Sequence, residues 1–222
     1  MTHAYQEIYL SNAQSALGDA FDYAVNTCSI GGNDFVKLFL ASTISTRMEN
    51  GEPAYLAGKS GIEIVRDVVR ETTGKELTVQ PRENMWRSCE YWIGWATAYY
   101  QWFSARKYSH IFKAIPFDEL QRLYPTLHEA DITKFVATAD KYLMECFPYT
   151  NLKRIRTTYG CSQAELAQIS GVSLRSIQMY EQRNKDINKA SVETVHRLAK
   201  ALGCCVEDLM EASCDRDAGK RR

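Results

Sequence analysis

Residues 162–181 have the sequence SQAELAQISGVSLRSIQMYE, which predicts two short helices joined by a glycine turn. Ser162 can accept a hydrogen bond from a free amide of the first turn, and Glu165 three residues later completes a capping box. Gly171 supplies the turn, because glycine adopts a positive φ without a Cβ clash. Ser173 is placed to cap the second helix. The boundaries of both helices are therefore specified locally.

Periodicity assigns faces to these helices, since each residue turns a helix by about 100°. On the first helix we expect Leu166, Ala167 and Ile169 to face inward. The second helix divides into an inward set and an outward set, which are Val172, Ile177 and Tyr180 against Leu174, Arg175, Gln178 and Met179. An outward leucine beside an outward arginine requires an explanation.

Small, apolar and capping residues continue at helical spacing from residue 152 to residue 209. They are Leu152, Ile155, Arg156, Ser162, Gln163, Leu166, Ala167, Gly171, Val172, Ser173, Ile177, Glu181, Val195, Leu198, Ala199, Leu202, Gly203 and Val206 to Leu209. With these residues, the segment 151–211 resembles the five-helix DNA-binding domain of phage-repressor and Cro-like transcription regulators. Capped helix pairs also occur in other α-helical proteins, but agreement across five helices favours DNA binding.

The resemblance implies that the helix after Ser173 lies in the major groove and reads bases. Its expected base contacts are Ser173, Leu174, Arg175, Gln178 and Met179. Arginine can donate two hydrogen bonds to guanine O6 and N7, and an apolar side chain can cover a thymine methyl.

Other residues are expected to contact the DNA backbone or to hold the domain together. The expected phosphate contacts are Gln163, Ser176, Lys185, Asn188 and Lys189, which would fix the register without reading sequence. Arg156 and Glu181 match a salt bridge that is typical of this family, and we interpret them as structural. The loop after Glu181 lacks the glycine that is usual there, and Asn184 is expected to adopt the left-handed conformation instead.

Charge and cysteine content agree with an intracellular DNA-binding protein. The chain has 27 basic and 27 acidic residues, but they are unevenly distributed. The segment 151–222 carries an excess of four positive charges, and the segment 1–150 carries an excess of four negative charges. The seven cysteines are odd in number and lack paired spacing, which indicates reduced thiols without a disulfide framework or metal site. We expect a cytoplasmic protein without cofactor or membrane contact, because the amino terminus lacks a signal-peptide pattern.

The rest of the chain predicts an all-α fold in which an amino-terminal helical domain precedes the DNA-binding domain. We expect domains at 1–147 and 148–212 and a disordered tail at 213–222. Apolar residues at intervals of three and four predict helices around 8–25, 35–44 and 62–69, a strong helix from Glu83 to Arg106, and one over 132–143 with a cap at Thr126 and Glu129.

The segment 91–103 holds three of the four tryptophans and is apolar around most of its circumference. Such a helix is typical of a domain core, but an aromatic ligand pocket and a partner-binding face are alternatives. Its candidate partner face consists of Trp92, Trp95, Tyr99 and Trp102.

Enzymatic motifs are not convincing, and we predict no catalytic or metal-binding residues. Gly58-Lys59-Ser60 resembles the end of a phosphate-binding loop, but Pro53 occupies the position of its first glycine. Ser60 is better explained as a helix cap near Glu63.

The sequence therefore predicts a transcription regulator, expected to be a repressor that binds a palindromic operator in double-stranded DNA as a homodimer. The alternative is an antitoxin-like protein. Its amino-terminal domain would neutralise a toxin-like partner while the carboxy-terminal domain regulates the shared operon.

Overall fold

The computed structural model describes residues 3–80 and 87–211, and every regular element in these two ranges is helical. The predicted all-α class is therefore confirmed. The chain divides into two compact units, Met1–Cys146 and Phe147–Arg222. The predicted tail at 213–222 and the start of the helix predicted from Glu83 lie outside the described residues. In the described ranges, no helix combines the length and the apolar character that a membrane crossing requires.

The first unit is built from α-helices between residues 10 and 146. A 3-10 turn, Glu7–Tyr9, precedes the first of them, and a π-helical turn, Tyr23–Thr27, extends it. The helices are α1 Leu10–Asp22, α2 Gly32–Ala41, α3 Thr43–Glu49, α4 Pro53–Leu56, α5 Gly61–Thr73, α6 Cys89–Ser104, α7 Tyr108–Ala114, α8 Phe117–Leu127 and α9 Ile132–Cys146.

Helix α1 lies in the middle of this unit, and glycines allow two other helices to approach its backbone. A Cβ atom added at Gly94 of α6 would lie 2.3 Å from the carbonyl oxygen of Leu17. One added at Gly61 would lie 2.4 Å from the backbone nitrogen of Ala20. Because these neighbours are backbone atoms, they cannot move aside as a side chain would. The positions of α5 and α6 against α1 therefore require glycine at both sites.

Local capping places some helix boundaries where the sequence predicts them. Ser60 caps α5, since its Oγ accepts from the amide of Glu63 and the Glu63 carboxylate accepts from the amide of Ser60. Helix α6 begins at Cys89, later than predicted, because Ser88 accepts from the amide of Tyr91 and caps it there.

The predicted cap at Thr126 is wrong. Thr126 lies in the last turn of α8, a helix that the apolar pattern did not reveal. The following helix, α9, begins at Ile132, and the carboxylate of Asp131 accepts from the amide of Thr133 at 2.9 Å. Asp131 therefore satisfies a free amide of the first turn in place of Thr126.

The aromatic helix α6 is largely a core element, and two residues of the candidate partner face are buried within its own unit. Trp92 is 8% exposed and packs edge-on against Phe135 at 5.5 Å between ring centroids. Trp102 is 5% exposed, and its indole N–H donates to the carbonyl of Tyr5 at 2.9 Å. Both tryptophans are buried by their own unit, whereas Trp95 and Tyr99 remain partly exposed.

The second unit contains the five predicted helices, joined by short connections. They are α10 Asn151–Tyr159, α11 Gln163–Ser170, α12 Leu174–Glu181, α13 Val192–Leu202 and α14 Val206–Leu209, with a 3-10 turn Ile187–Lys189 before α13. Their shared core is formed by residues that include Leu152, Leu166, Val172, Ile177, Tyr180, Val195, Leu198, Leu202 and Leu209.

We predict that Gly94→Ala destabilises the protein. Alanine in a helix interior normally stabilises by about 1 kcal/mol relative to glycine. Here the added methyl group would overlap the backbone of α1, and overpacking of this kind costs about 1–3 kcal/mol or more. Urea unfolding of the full chain, followed by circular dichroism, measures the change.

Gly74→Ala serves as the comparison variant, since a Cβ atom there meets nothing within 4 Å although φ is +69°. It should cost only the strain of the left-handed backbone, about 1 kcal/mol. A Gly94→Ala protein as stable as the wild type would contradict the close approach of α6 and α1.

Candidate nucleic-acid interface

Helix α11 and helix α12 have the boundaries that the capping residues predict. Ser162 and Glu165 form the capping box, with the amide of Ser162 donating to the Glu165 carboxylate at 2.7 Å and the amide of Glu165 donating to Ser162 Oγ at 3.2 Å. The hydrogen bond from the backbone of Ser162 is the main reason that the pKa of Glu165 lies below its ordinary value. Gly171 ends α11 with φ +67°, and Ser173 caps α12 by accepting from the amide of Ser176.

The inner face of α12 consists of the residues that periodicity assigns to it. Ile177 is fully buried, and Val172 and Tyr180 are nearly so. The opposite face is open at its amino-terminal half, where Ser173, Leu174 and Arg175 are exposed. Leu174 is 39% exposed.

Gln178 and Met179, the other two predicted base contacts, are half-buried. They follow Leu174 and Arg175 by one helical turn, and therefore lie on the same side of α12. The five predicted base contacts thus form one continuous surface, which is most exposed at the start of the helix.

The inward assignment of Ile169 on α11 is wrong. Ile169 is 55% exposed, whereas Leu166 and Ser170 are buried. One helical turn separates Leu166 from Ser170, so these two residues share the inner face and Ile169 is rotated away from it. Ser170 is suited to the buried position because its hydroxyl donates to the carbonyl of Leu166 at 2.6 Å and accepts from the amide of Val172 at 3.2 Å.

Arg156 and Glu181 form a two-pronged ion pair that connects α10 to the end of α12. Arg156 Nε donates to Glu181 Oε1 at 2.6 Å and Nη2 donates to Oε2 at 2.9 Å. The side chains are 10% and 2% exposed, respectively. The hydrogen bonds to Glu181 raise the pKa of Arg156 above its ordinary value.

Two more groups complete this buried network. Arg156 Nη1 donates to the carbonyl of Cys161 at 2.6 Å, and the side-chain amide of Gln163 donates to Glu181 Oε2 at 2.7 Å. Buried charges are stable only when such hydrogen bonds replace their lost hydration. Gln163 is therefore used to hold α11 against α12, a role that its position in the sequence did not reveal.

Some of the predicted phosphate contacts are exposed, whereas others already form hydrogen bonds within the domain. Lys185 lies over the ring of Tyr180, with 5.3 Å from Nζ to the centroid, and Lys189 pairs with Asp186 at 4.0 Å. Both lysines are exposed. The hydroxyl of Ser176 accepts a hydrogen bond from the hydroxyl of Ser173 at 2.9 Å. Asn188, in contrast, uses its side-chain amide to bind the backbone of Glu211.

The left-handed residue after α12 is Arg183 and not Asn184. Arg183 has φ +55°, a conformation that costs a non-glycine residue about 1–3 kcal/mol. Its guanidinium donates to the carbonyl oxygens of Pro148 at 3.0 Å and Phe147 at 3.3 Å. These long-range hydrogen bonds stabilise the left-handed backbone at Arg183. They explain why Arg183 adopts this conformation, although asparagine has the higher local preference for it.

Comparison with family models assigns the second unit. Residues 152–209 match the model described as Helix-turn-helix, so this segment is a helix-turn-helix domain of the kind found in DNA-binding transcription regulators. The match begins in α10, ends with α14 and contains the surface of α12 described above. Comparisons with curated proteins and with solved structures find no match.

We predict that Glu181→Ala destabilises the protein by about 3–5 kcal/mol, because it leaves the guanidinium of Arg156 buried without a counter-charge. Urea unfolding of the full chain measures the loss. The double variant Arg156→Met with Glu181→Leu should recover most of it, since it removes both charges and keeps the volume. If the single and double variants are equally unstable, the loss comes from packing and not from the unpaired charge.

Proposed function

We propose that this chain is a sequence-specific transcription repressor that binds a palindromic operator as a dimer. The observation that carries the proposal is the uncovered surface at the start of α12, in a helix-turn-helix domain whose core is otherwise closed. Ser173, Leu174 and Arg175 are exposed there while Ile177 and Tyr180 anchor the same helix. A short helix held in this way can enter the major groove amino terminus first.

The chemistry of the exposed surface fits base reading. Arg175 can donate two parallel hydrogen bonds to guanine O6 and N7. Leu174 and Met179 can cover thymine methyl groups, which accounts for an exposed leucine beside an exposed arginine. Ser173 and Gln178 can form further hydrogen bonds with base edges.

The backbone contacts that we propose are Gln163, Ser176, Lys185, Asn188 and Lys189. Lys185 and Lys189 are the strongest candidates, because their ammonium groups are exposed. Gln163 and Asn188 already donate within the domain, but each side-chain amide has two N–H groups and can share one with a phosphate.

We propose a homodimer because a two-fold axis would place two copies of α12 in successive major grooves, about 34–36 Å apart. The first unit would supply the dimer contact. The protein would act in the cytoplasm on double-stranded DNA without a cofactor, and catalysis has no part in this function.

We predict that Arg175→Ala lowers the preference for the operator over shuffled DNA by about 1–3 kcal/mol, since alanine cannot form the two-pronged bond to guanine. Fluorescence anisotropy with the upstream region of its own gene and with a shuffled duplex measures both affinities at one salt concentration.

Arg122→Ala is the matched control, because it removes an arginine with a side chain 77% exposed from the first unit. It should leave the preference unchanged. Equal affinity of the wild type for operator and shuffled DNA, or an unchanged preference after Arg175→Ala, would contradict base reading by this residue.

A second candidate function is neutralisation of a toxin-like protein partner by the first unit. Trp95 and Tyr99 favour it, since they remain partly exposed on α6 and follow one another by one helical turn. Partly exposed aromatic residues are enriched at protein interfaces. Trp92 and Trp102 would support this surface from inside the unit.

We predict that the product of the neighbouring gene co-purifies with the tagged full chain if this second function holds. Tyr99→Ala should then weaken the complex about 10-fold or more, as truncation of an aromatic anchor does. Recovery of the chain alone would leave repression as the function, and Tyr149→Ala, at a tyrosine 61% exposed in the second unit, is the control.

A further inference from the structure

Three side chains of the second unit hold the segment Met210–Glu211 that follows α14. Asn188 donates to the carbonyl of Glu211, and its Oδ1 accepts from the amide of Glu211 at 2.9 Å. Asn151 donates from its side chain to the carbonyl of Met210 at 2.7 Å and from its backbone to the Glu211 carboxylate. Arg183 Nη2 lies 3.8 Å from the other carboxylate oxygen. We call these four residues, Asn151, Arg183, Asn188 and Glu211, the Glu211 clamp.

The clamp joins three distant parts of the domain. Asn151 begins α10, Arg183 and Asn188 belong to the loop between α12 and α13, and Glu211 follows α14. Arg183 extends the connection to the carbonyl oxygens of Phe147 and Pro148. The loop 182–189 is therefore fixed at both of its ends by long-range bonds.

This loop carries the two exposed lysines that we propose as phosphate contacts. The amides of Asn184 and Lys185 both donate to the carbonyl of Met179, at 2.9 and 3.1 Å, which sets the first lysine against the end of α12. Lys189 directly follows Asn188, so its backbone position depends on the clamp. The loop contains no glycine, so its backbone lacks the residue type that is most free to change conformation.

We propose that the Glu211 clamp positions Lys185 and Lys189 for the DNA backbone, and that Arg183 and Asn188 are positioning residues for DNA affinity. The proposal rests on the proposed function and adds the way in which one edge of the interface is built. Because the clamp acts through phosphate contacts, it supports affinity and leaves base preference unchanged.

Two variants open the clamp without altering the charge. Asn188→Leu keeps the volume of the side chain and removes its bonds to Glu211, and Arg183→Lys keeps the charge and removes the fork that reaches two carbonyls. Asn184→Leu is the matched control, since this exposed asparagine of the same loop bonds to Gln182. Circular dichroism melts establish that each variant is folded at the temperature of measurement.

The test is the salt dependence of DNA binding by the full chain. The probes are a duplex selected with the wild type from a random library and a shuffled duplex. The slope of log K against log salt should fall by about 0.9 for each phosphate that the protein no longer neutralises, so by about one to two for each clamp variant. The ratio of the affinities for the selected and the shuffled duplex should stay within about twofold of the wild-type ratio. The control Asn184→Leu should have the same slope and the same ratio as the wild type.

The triple variant Lys185→Ala, Lys189→Ala and Asn188→Leu tests whether Asn188 affects the salt slope through the two lysines. Lys185→Ala with Lys189→Ala should reduce the slope by the same amount. Adding Asn188→Leu should reduce it no further, because the two lysines are already absent and a direct bond from the uncharged Asn188 to a phosphate does not contribute to the slope. Hydrogen exchange without DNA gives an independent readout. The amides of Asn184 and Lys185 should exchange at least about 10-fold faster in Asn188→Leu.

The outcomes distinguish the two proposals. A wild type that prefers the selected duplex, with clamp variants of unchanged slope or unchanged exchange, overturns the clamp alone. A wild type that binds both duplexes equally overturns base-specific repression. The clamp proposal is then decided by whether the clamp variants reduce the salt slope of the wild type. A wild type without salt-dependent binding overturns both.

Discussion

The orientation of α12 depends on one buried carboxylate. Glu181 closes α12 and accepts from Arg156 of α10 and from Gln163 of α11, so three helices meet at two oxygen atoms. A carboxylate with 2% exposure is stable there only because these donors replace its hydration. The geometry of such charge-assisted bonds is narrow, which limits rotation of α12 about its axis. Leu174 and Arg175 face solvent as a consequence.

The parts of the second unit that the sequence predicts best are those decided within one helical turn. Ser162, Glu165, Gly171 and Ser173 act on backbone groups three or four residues away, and the structure places each of them as the local pattern predicts. Ser60 behaves in the same way in the first unit. Capping and a positive φ are properties of a short segment, so no knowledge of the fold is required.

Other features depend on residues far away in the chain and were not predictable from local patterns. Asn188 binds Glu211 and Trp102 binds the carbonyl of Tyr5, and neither partner is marked by periodicity. Ile169 was misassigned for a different reason, since a serine can occupy an inner position when its hydroxyl bonds to the preceding turn. Apolar spacing identifies a helix more reliably than it identifies the residue at the edge of a buried face.

The contact at Gly94 also determines how the first unit can move. Packed helices shift by small sliding steps when side chains at their interface can change rotamer. Where Gly94 of α6 crosses α1, the carbonyl of Leu17 faces a glycine, so at this point backbone meets backbone and no side-chain torsion can adjust to a slide. Gly61 of α5 meets α1 in the same manner. At these two points, sliding of α5 or α6 along α1 would have to move backbone against backbone.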